Sequence, residues 1–175
     1  MNRPLLIGGL LATAVLVIVL ASGFGHDTRK IVSPLVGRRA PPFALSRVDG
    51  KGVVTLDSLK GKPTVVNFWA TWCQPCQQEH HVLQQEALQA AGKAQFVGIV
   101  YDDEPGRITE FLTRTGGTSY PTVIDQGGKT AIAYGVYGVP ETFFLDTEGR
   151  IVSKYEGPLS PEQLEDSLAA IGARL

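Results

Sequence analysis

The chain has 175 residues, with 16 Lys and Arg against 17 Asp and Glu and a net charge of −1. That length accommodates one domain with a real core, and the charge balance gives no electrostatic reason to expect nucleic acid as a partner. Twenty Gly and 11 Pro favour a loop-rich α/β protein over a helical bundle, and no internal repeat is visible.

The N-terminus is a separate object. No charged residue occurs from Pro4 to Gly25, and Leu5 to Leu20 is almost wholly aliphatic. About 20 such residues suffice to cross a bilayer, so residues 1–25 are expected to be a membrane anchor. A cleaved signal peptide is the competing reading, with Ala21-Ser22-Gly23 as a small-residue site, although its apolar part usually runs only about 7 to 15 residues. Charge does not orient the segment towards export. Only Arg3 and the amino terminus precede it, whereas Arg29, Lys30, Arg38 and Arg39 follow, against positive-inside counting. Residues 26–37, broken by Pro34 and Gly37, read as a tether, and the folded domain is expected over residues 38–175.

PPFALSRVDGKGVVTL reads as two short strands with Asp49-Gly50 supplying turn chemistry. The apolar run Thr64 to Ala70 suits a strand covered on both faces, as in a parallel sheet. Residues 74–91 are rich in Gln, Glu, Leu and Ala and predict a helix that stops at Gly92. Gln95 to Tyr101 is a second buried strand, and Pro105 to Arg114 a second helix with Pro near its start. Strand, helix, strand, helix implies parallel pairing through right-handed crossovers. Thr142 to Asp146 and Arg150 to Glu156, separated by Thr147-Glu148-Gly149, read as an antiparallel hairpin. Ser160 then caps a last helix with Pro161 in its first turn.

Both cysteines of the chain, Cys73 and Cys76, lie in FWATWCQPCQQE. Cys73 follows the buried strand and opens the helix, where partial positive charge and unpaired N–H groups favour a thiolate. Cys76 is one turn on, so the two sulfurs can close and reopen a small disulfide. Pro75 fits the first turn, where its missing N–H costs little. The pattern points to thiol–disulfide exchange, one thiolate attacking and the other resolving the mixed disulfide. Two unrelated core thiols would not open a helix together. A zinc site would draw on His80 and His81 within nine residues, whereas structural zinc spaces its ligand pairs well apart, so no metal is expected. The two histidines read instead as a solvated helix face.

The segment VVNFWATWCQPC resembles the active-site region of thioredoxin-like proteins, and residues 135–146, GVYGVPETFFLD, resemble the signature of the CcmG/DsbE thiol:disulfide interchange proteins of cytochrome c biogenesis. APPFAL at 40–45 and the N-terminal anchor agree with that group, and the resemblance covers about residues 38–172. It implies a thioredoxin-like fold: an N-terminal hairpin, then βαβ and ββα halves around a mixed central sheet. It also implies Cys73 as nucleophile, Cys76 as resolving cysteine, and Pro140 as a cis-proline facing them. Val139 would be left free to pair with an extended substrate, and Trp72 would shield the sulfurs or simply pack. Asn67 stands where thioredoxins carry a buried Asp, which leaves Glu79 and Glu141 as candidates for acid–base help. Glu141 is expected near Cys73, its charge opposing the helix dipole. Tyr101-Asp102-Asp103-Glu104 departs from the family, whose members often carry a Lys there.

The expectation is a thiol-disulfide oxidoreductase needing no bound cofactor, tethered to the inner membrane with its domain outside the cytoplasm. By resemblance it would reduce apocytochrome c, or cysteines of maturation proteins, with electrons from a DsbD/CcdA-type membrane donor. A ResA/TlpA-type general reductase is the alternative. A peroxiredoxin, which would want T-x-x-C rather than Thr71-Trp72-Cys73, and a metal-binding module fit less well.

Overall fold

In the computed structural model, residues 33–174 are described, together with positions 7, 8, 12, 13, 15 and 17. The chain divides into two units, Met1–Ile31 and Val32–Leu175, and every strand among the described residues belongs to the second. The anchor expected over residues 1–25 lies outside the described residues except at those six positions, and the first part of the tether lies outside them too. No helix among the described residues is long and apolar enough to cross a membrane. The domain's contacts start ahead of Arg38: Leu35 packs against the core, and Gly37 N–H donates to the Ile151 carbonyl at 2.8 Å.

Two short strands, β1 (Ala44–Ser46) and β2 (Val53–Thr55), pair antiparallel with Leu45 opposite Val54. A five-stranded sheet follows, built from β3 (Thr64–Trp69), β4 (Gln95–Tyr101), β5 (Thr122–Asp125), β6 (Glu141–Leu145) and β7 (Ile151–Glu156). Its order is β5-β4-β3-β6-β7, with β3 in the centre. β3 runs parallel to β4 and antiparallel to β6, β4 runs parallel to β5, and β6 and β7 form the expected hairpin. The sheet is therefore mixed and thioredoxin-like.

Every residue of β3 is buried, as its largely apolar sequence favours. Its side chains alternate between two cores. Val65 packs with Leu83 of helix α1 (Gln74–Gln89) and with Leu164 and Leu168 of a C-terminal helix. Val66 and Phe68 point the other way, onto Phe43, Val54, Leu56, Tyr134 and Phe143. Helix α2 (Pro105–Arg114) sets Ile108 and Phe111 over Trp69, beside the cysteines.

Two elements were not foreseen, β5 and helix α3 (Lys129–Tyr134). Four residues at a sheet edge and six residues between Gly128 and Gly135 are too short to show a period. The Asp125 carboxylate creates the α3 start by accepting from Thr130 N (3.1 Å) and Ala131 N (2.8 Å). Gly128 has φ +66, and a Cβ there would lie 2.5 Å from the Tyr101 ring. The last helix, α4 (Pro161–Ala170), starts as its capping signal requires: Ser160 Oγ accepts from Gln163 N, and Gln163 Oε1 accepts from Ser160 N.

Candidate active site

Chain order brings the cysteines to the C-terminal end of the central strand, where β3 hands over to α1. Cys73 is the N-cap of α1, with extended dihedrals, and Pro75 sits in the first turn. Cys73 and Cys76 form a disulfide with Cα atoms 5.3 Å apart. The Cys76 N–H points at Cys73 Sγ at 3.2 Å, so the helix N-terminus donates to this sulfur and would stabilise a thiolate there. In this oxidised form both residues are buried, Cys73 at 5 % and Cys76 at 3 % exposure.

Opposite the disulfide runs the loop before β6. Its Val139–Pro140 peptide bond is cis. The Val139 carbonyl oxygen lies 3.4 Å from Cys73 Sγ, a contact that becomes a hydrogen bond only when reduction restores a proton to the sulfur. Trp72 is exposed, and its ring meets Tyr101 edge-on at 6.5 Å. It borders a cavity of about 260 Å³ with Asp102, Asp103, Glu104, Arg107 and Gln126. It precedes Cys73 in the chain and is about half exposed. Asp103 was read from the sequence only as part of an acidic stretch. It is buried, and its carboxylate accepts from Thr71 N at 2.7 Å, tying the loop that carries Trp72 and Cys73 to the end of β4.

The two carboxylates singled out from sequence have different surroundings. Glu79, in the turn after Cys76, is buried on the inner face of α1. Its Oε1 accepts from Asn67 Nδ2 (3.0 Å) and its Oε2 from Leu159 N (3.0 Å). Asn67 also donates to Thr142 Oγ1 at 3.0 Å. So the Asn that replaces the expected Asp on β3 contributes donors rather than a second charge. Among the described residues no cation pairs with Glu79. Burial pushes its carboxyl up to about 7, and the two hydrogen bonds only partly oppose this. The neighbouring Tyr120 phenol is raised by burial and, secondarily, by Glu79.

Glu141 lies within β6, also buried, but its charge is met. Oε1 accepts from Tyr137 N (2.9 Å) and Gly138 N (3.2 Å), and Lys154 Nζ lies 2.8 Å from Oε2. Oε2 has no well-directed hydrogen bond and relies on that ion pair. Lys154 was missed from sequence. It is one residue of a strand whose neighbours are half-buried, and nothing local marks it as ion-paired under a loop 19 residues away.

Only one of the two histidines expected on a solvated helix face lies there. His81 is exposed, but His80 is buried between the Trp69 (6.1 Å) and Phe111 (5.0 Å) rings, and burial pulls its imidazole down. It is a core residue because α2 covers that face of α1, which the helix sequence alone does not reveal. Among the described residues no group of three His, Cys, Asp or Glu side chains could hold a metal ion.

The arrangement is that of a reversible dithiol: one sulfur at a helix N-terminus, a second one turn on, and a buried carboxylate three residues further along the same helix. Known proteins agree. The sequence matches the Redoxin family over residues 35–171. It is 34% identical over 170 residues to the thiol:disulfide interchange protein DsbE of Pseudomonas fluorescens biotype C, covering 97% of this chain and 94% of that one. It is also 34% identical to DsbE of Escherichia coli K12, covering 94% and 89% of the two chains. A solved thiol:disulfide interchange protein of the thioredoxin family from Chlorobium tepidum TLS superposes with a TM-score of 0.67 at 28% identity, covering 75% of this chain and 93% of that one. Fold, redox pair and kinship converge: the chain is a thiol:disulfide oxidoreductase that belongs to the DsbE family of redoxin-type interchange proteins.

Proposed function

We propose that this oxidoreductase works as a reductant, and the buried, unpaired Glu79 carries that reading. A negative charge behind the cysteines disfavours a thiolate and opposes the helix dipole. A less stabilised thiolate goes with a disulfide that is harder to reduce. Cys73, capped by the Cys76 amide, is the nucleophile. Its thiolate attacks one sulfur of a substrate disulfide, forming a mixed disulfide and releasing the other substrate sulfur as a thiolate. Cys76 then gives its proton to Glu79 and attacks Cys73 Sγ. The Cys73–Cys76 disulfide closes and the second substrate sulfur leaves, so two electrons have passed to the substrate. A dithiol donor reverses these steps to recharge the protein.

Val139 beside the Pro140 cis bond offers backbone for an extended polypeptide to pair with, next to Cys73. The substrate class is a polypeptide disulfide. The family resemblance supports apocytochrome c or a cytochrome c maturation protein as that polypeptide, and a DsbD/CcdA-type membrane protein as donor. Residues 1–25 supply an inner-membrane anchor, residues 26–37 the tether, and residues 38–175 the catalytic domain outside the cytoplasm. This supports placing the exchange where disulfides form, against the charge asymmetry around the anchor. The reduction potential of the Cys73–Cys76 pair is the test. A value nearer about −270 mV than about −120 mV is expected, and one at the oxidising end sinks the reductant reading.

A further inference from the structure

We propose that Lys154 is a positioning residue of the exchange site, holding the Gly135–Val139 loop where a polypeptide partner must dock. Lys154 lies on β7 and Glu141 on the neighbouring strand β6, and both touch that loop. Its side chain is 4 % exposed, yet its ammonium is fully used. It donates to the Gly135 carbonyl at 3.2 Å, lies 2.8 Å from Glu141 Oε2, and lies 2.9 Å from Glu156 Oε1. Two of these oxygens accept from the ammonium, and Glu141 Oε2 meets it as an ion pair. The same ammonium sits 5.3 Å from the centre of the Tyr137 ring and 5.5 Å from that of Phe143.

The loop is thus fastened at successive points to one ion pair. Gly135 is held through its carbonyl, Tyr137 through its amide and its ring, and Gly138 through its amide. Val139 is the next residue, and its carbonyl touches Cys73 Sγ. Tyr137 is fixed at its base while 88 % exposed, so the clamp presents an aromatic surface two residues before Val139. Lys154 is the cation that faces the buried Glu141 carboxylate. Without it the carboxylate is left buried with the two loop amides alone and turns towards water, and the Tyr137 and Gly138 amides lose their acceptor. The damage then falls on the docking loop and leaves the cysteines and Glu79 in place.

The inference rests on the reading that a polypeptide docks along Val139. It is tested on the full reduced chain with two disulfides, insulin as a polypeptide and cystamine as a small molecule. In Lys154→Met the rate with insulin should fall about tenfold or more while that with cystamine stays within about twofold, as misplacement of a docking element predicts. Lys154→Arg, which keeps the cation, should recover most of the insulin rate. Equal losses on both disulfides, an unchanged insulin rate, or an Arg variant as poor as the Met variant would each overturn the proposal. If Lys154→Met does not fold, the native protein still decides. Its Tyr137 and Gly138 amides should be protected from hydrogen exchange, and fast exchange at both refutes the clamp. An oxidising potential for the cysteine pair would sink the reductant reading alone, and the insulin-to-cystamine ratio would still judge Lys154.

Discussion

Glu79 carries an ionisable group at a position where neither charge state is fully comfortable. Ionised, it is buried without a cation; neutral, it wastes part of the donor strength of Asn67 and Leu159. Burial wins, and its carboxyl moves from the usual 4.5 to about 7. Between those pH values the folded chain keeps a proton that the unfolded chain has lost. Stability is therefore fully present below the unfolded value and falls as pH rises through the folded one. The whole shift corresponds to about 3 kcal/mol. Urea denaturation of the oxidised chain should show a lower midpoint at about pH 8 than at about pH 5, and Glu79→Gln should flatten that difference. An unchanged slope in the variant would assign the pH dependence to other groups. The cysteines should behave unequally. Cys76→Ala should accumulate a mixed disulfide with its substrate, visible by mass spectrometry, whereas Cys73→Ala should form none. Adducts on Cys76 in the Cys73→Ala protein would reverse the assignment.

Helix α1 shows how an element converts sequence into reactivity. The end of an apolar strand, an N-capping Cys and a first-turn Pro put one sulfur on the helix N-terminus, all legible locally. The strand beside it is subtler. Gly98 on β4 faces Asn67 on β3, and a Cβ there would approach Trp69 Nε1 to 2.9 Å and the Tyr120 ring to 3.3 Å. Trp69 is locked against Phe111 and His80, so it cannot move freely. Gly98→Ala should cost about 1 to 3 kcal/mol through overpacking, read as a lower denaturation midpoint. A variant as stable as the parent would mean that the Trp69 ring has room to shift. The elements missed from sequence, β5 and α3, are too short to show a period, and the α3 start is set by a carboxylate five and six residues before the amides it caps. Asp125, at the end of β5, caps α3 through two amides.

At the scale of the whole chain, a redox domain follows an apolar N-terminal segment. The length of the charge-free stretch, Pro4 to Gly25, favours retention in the membrane. Expressed in a bacterium with a periplasm, the full chain should sediment with membranes, need detergent for release, and keep its N-terminal residues by mass analysis. A soluble product starting near Phe24 would establish a cleaved signal peptide instead. Within the domain, the sheet serves the site by putting β3 at its centre, so that the C-terminal ends of β3 and β4 and the starts of α1 and β6 gather around the same disulfide.

By itself the sequence determined the redox chemistry, the α/β alternation around β3, the terminal hairpin and the start of each long helix. These depend on neighbours within a turn or two: the spacing of Cys73 and Cys76, an apolar run, a cap. The tertiary structure alone decided the fates of Glu79, Glu141 and His80. Glu79 and Glu141 are both acidic residues beside a recognisable motif, and nothing local separates them. Glu79 is left without a cation because its shell comes from Asn67 on the central strand and from Leu159, 80 residues away. Glu141 is neutralised because β7 returns alongside β6 and brings Lys154 under the loop. The charge state of a carboxylate is set by the solvent and partners that folding removes or supplies, and those arrive from parts of the chain that no local window contains.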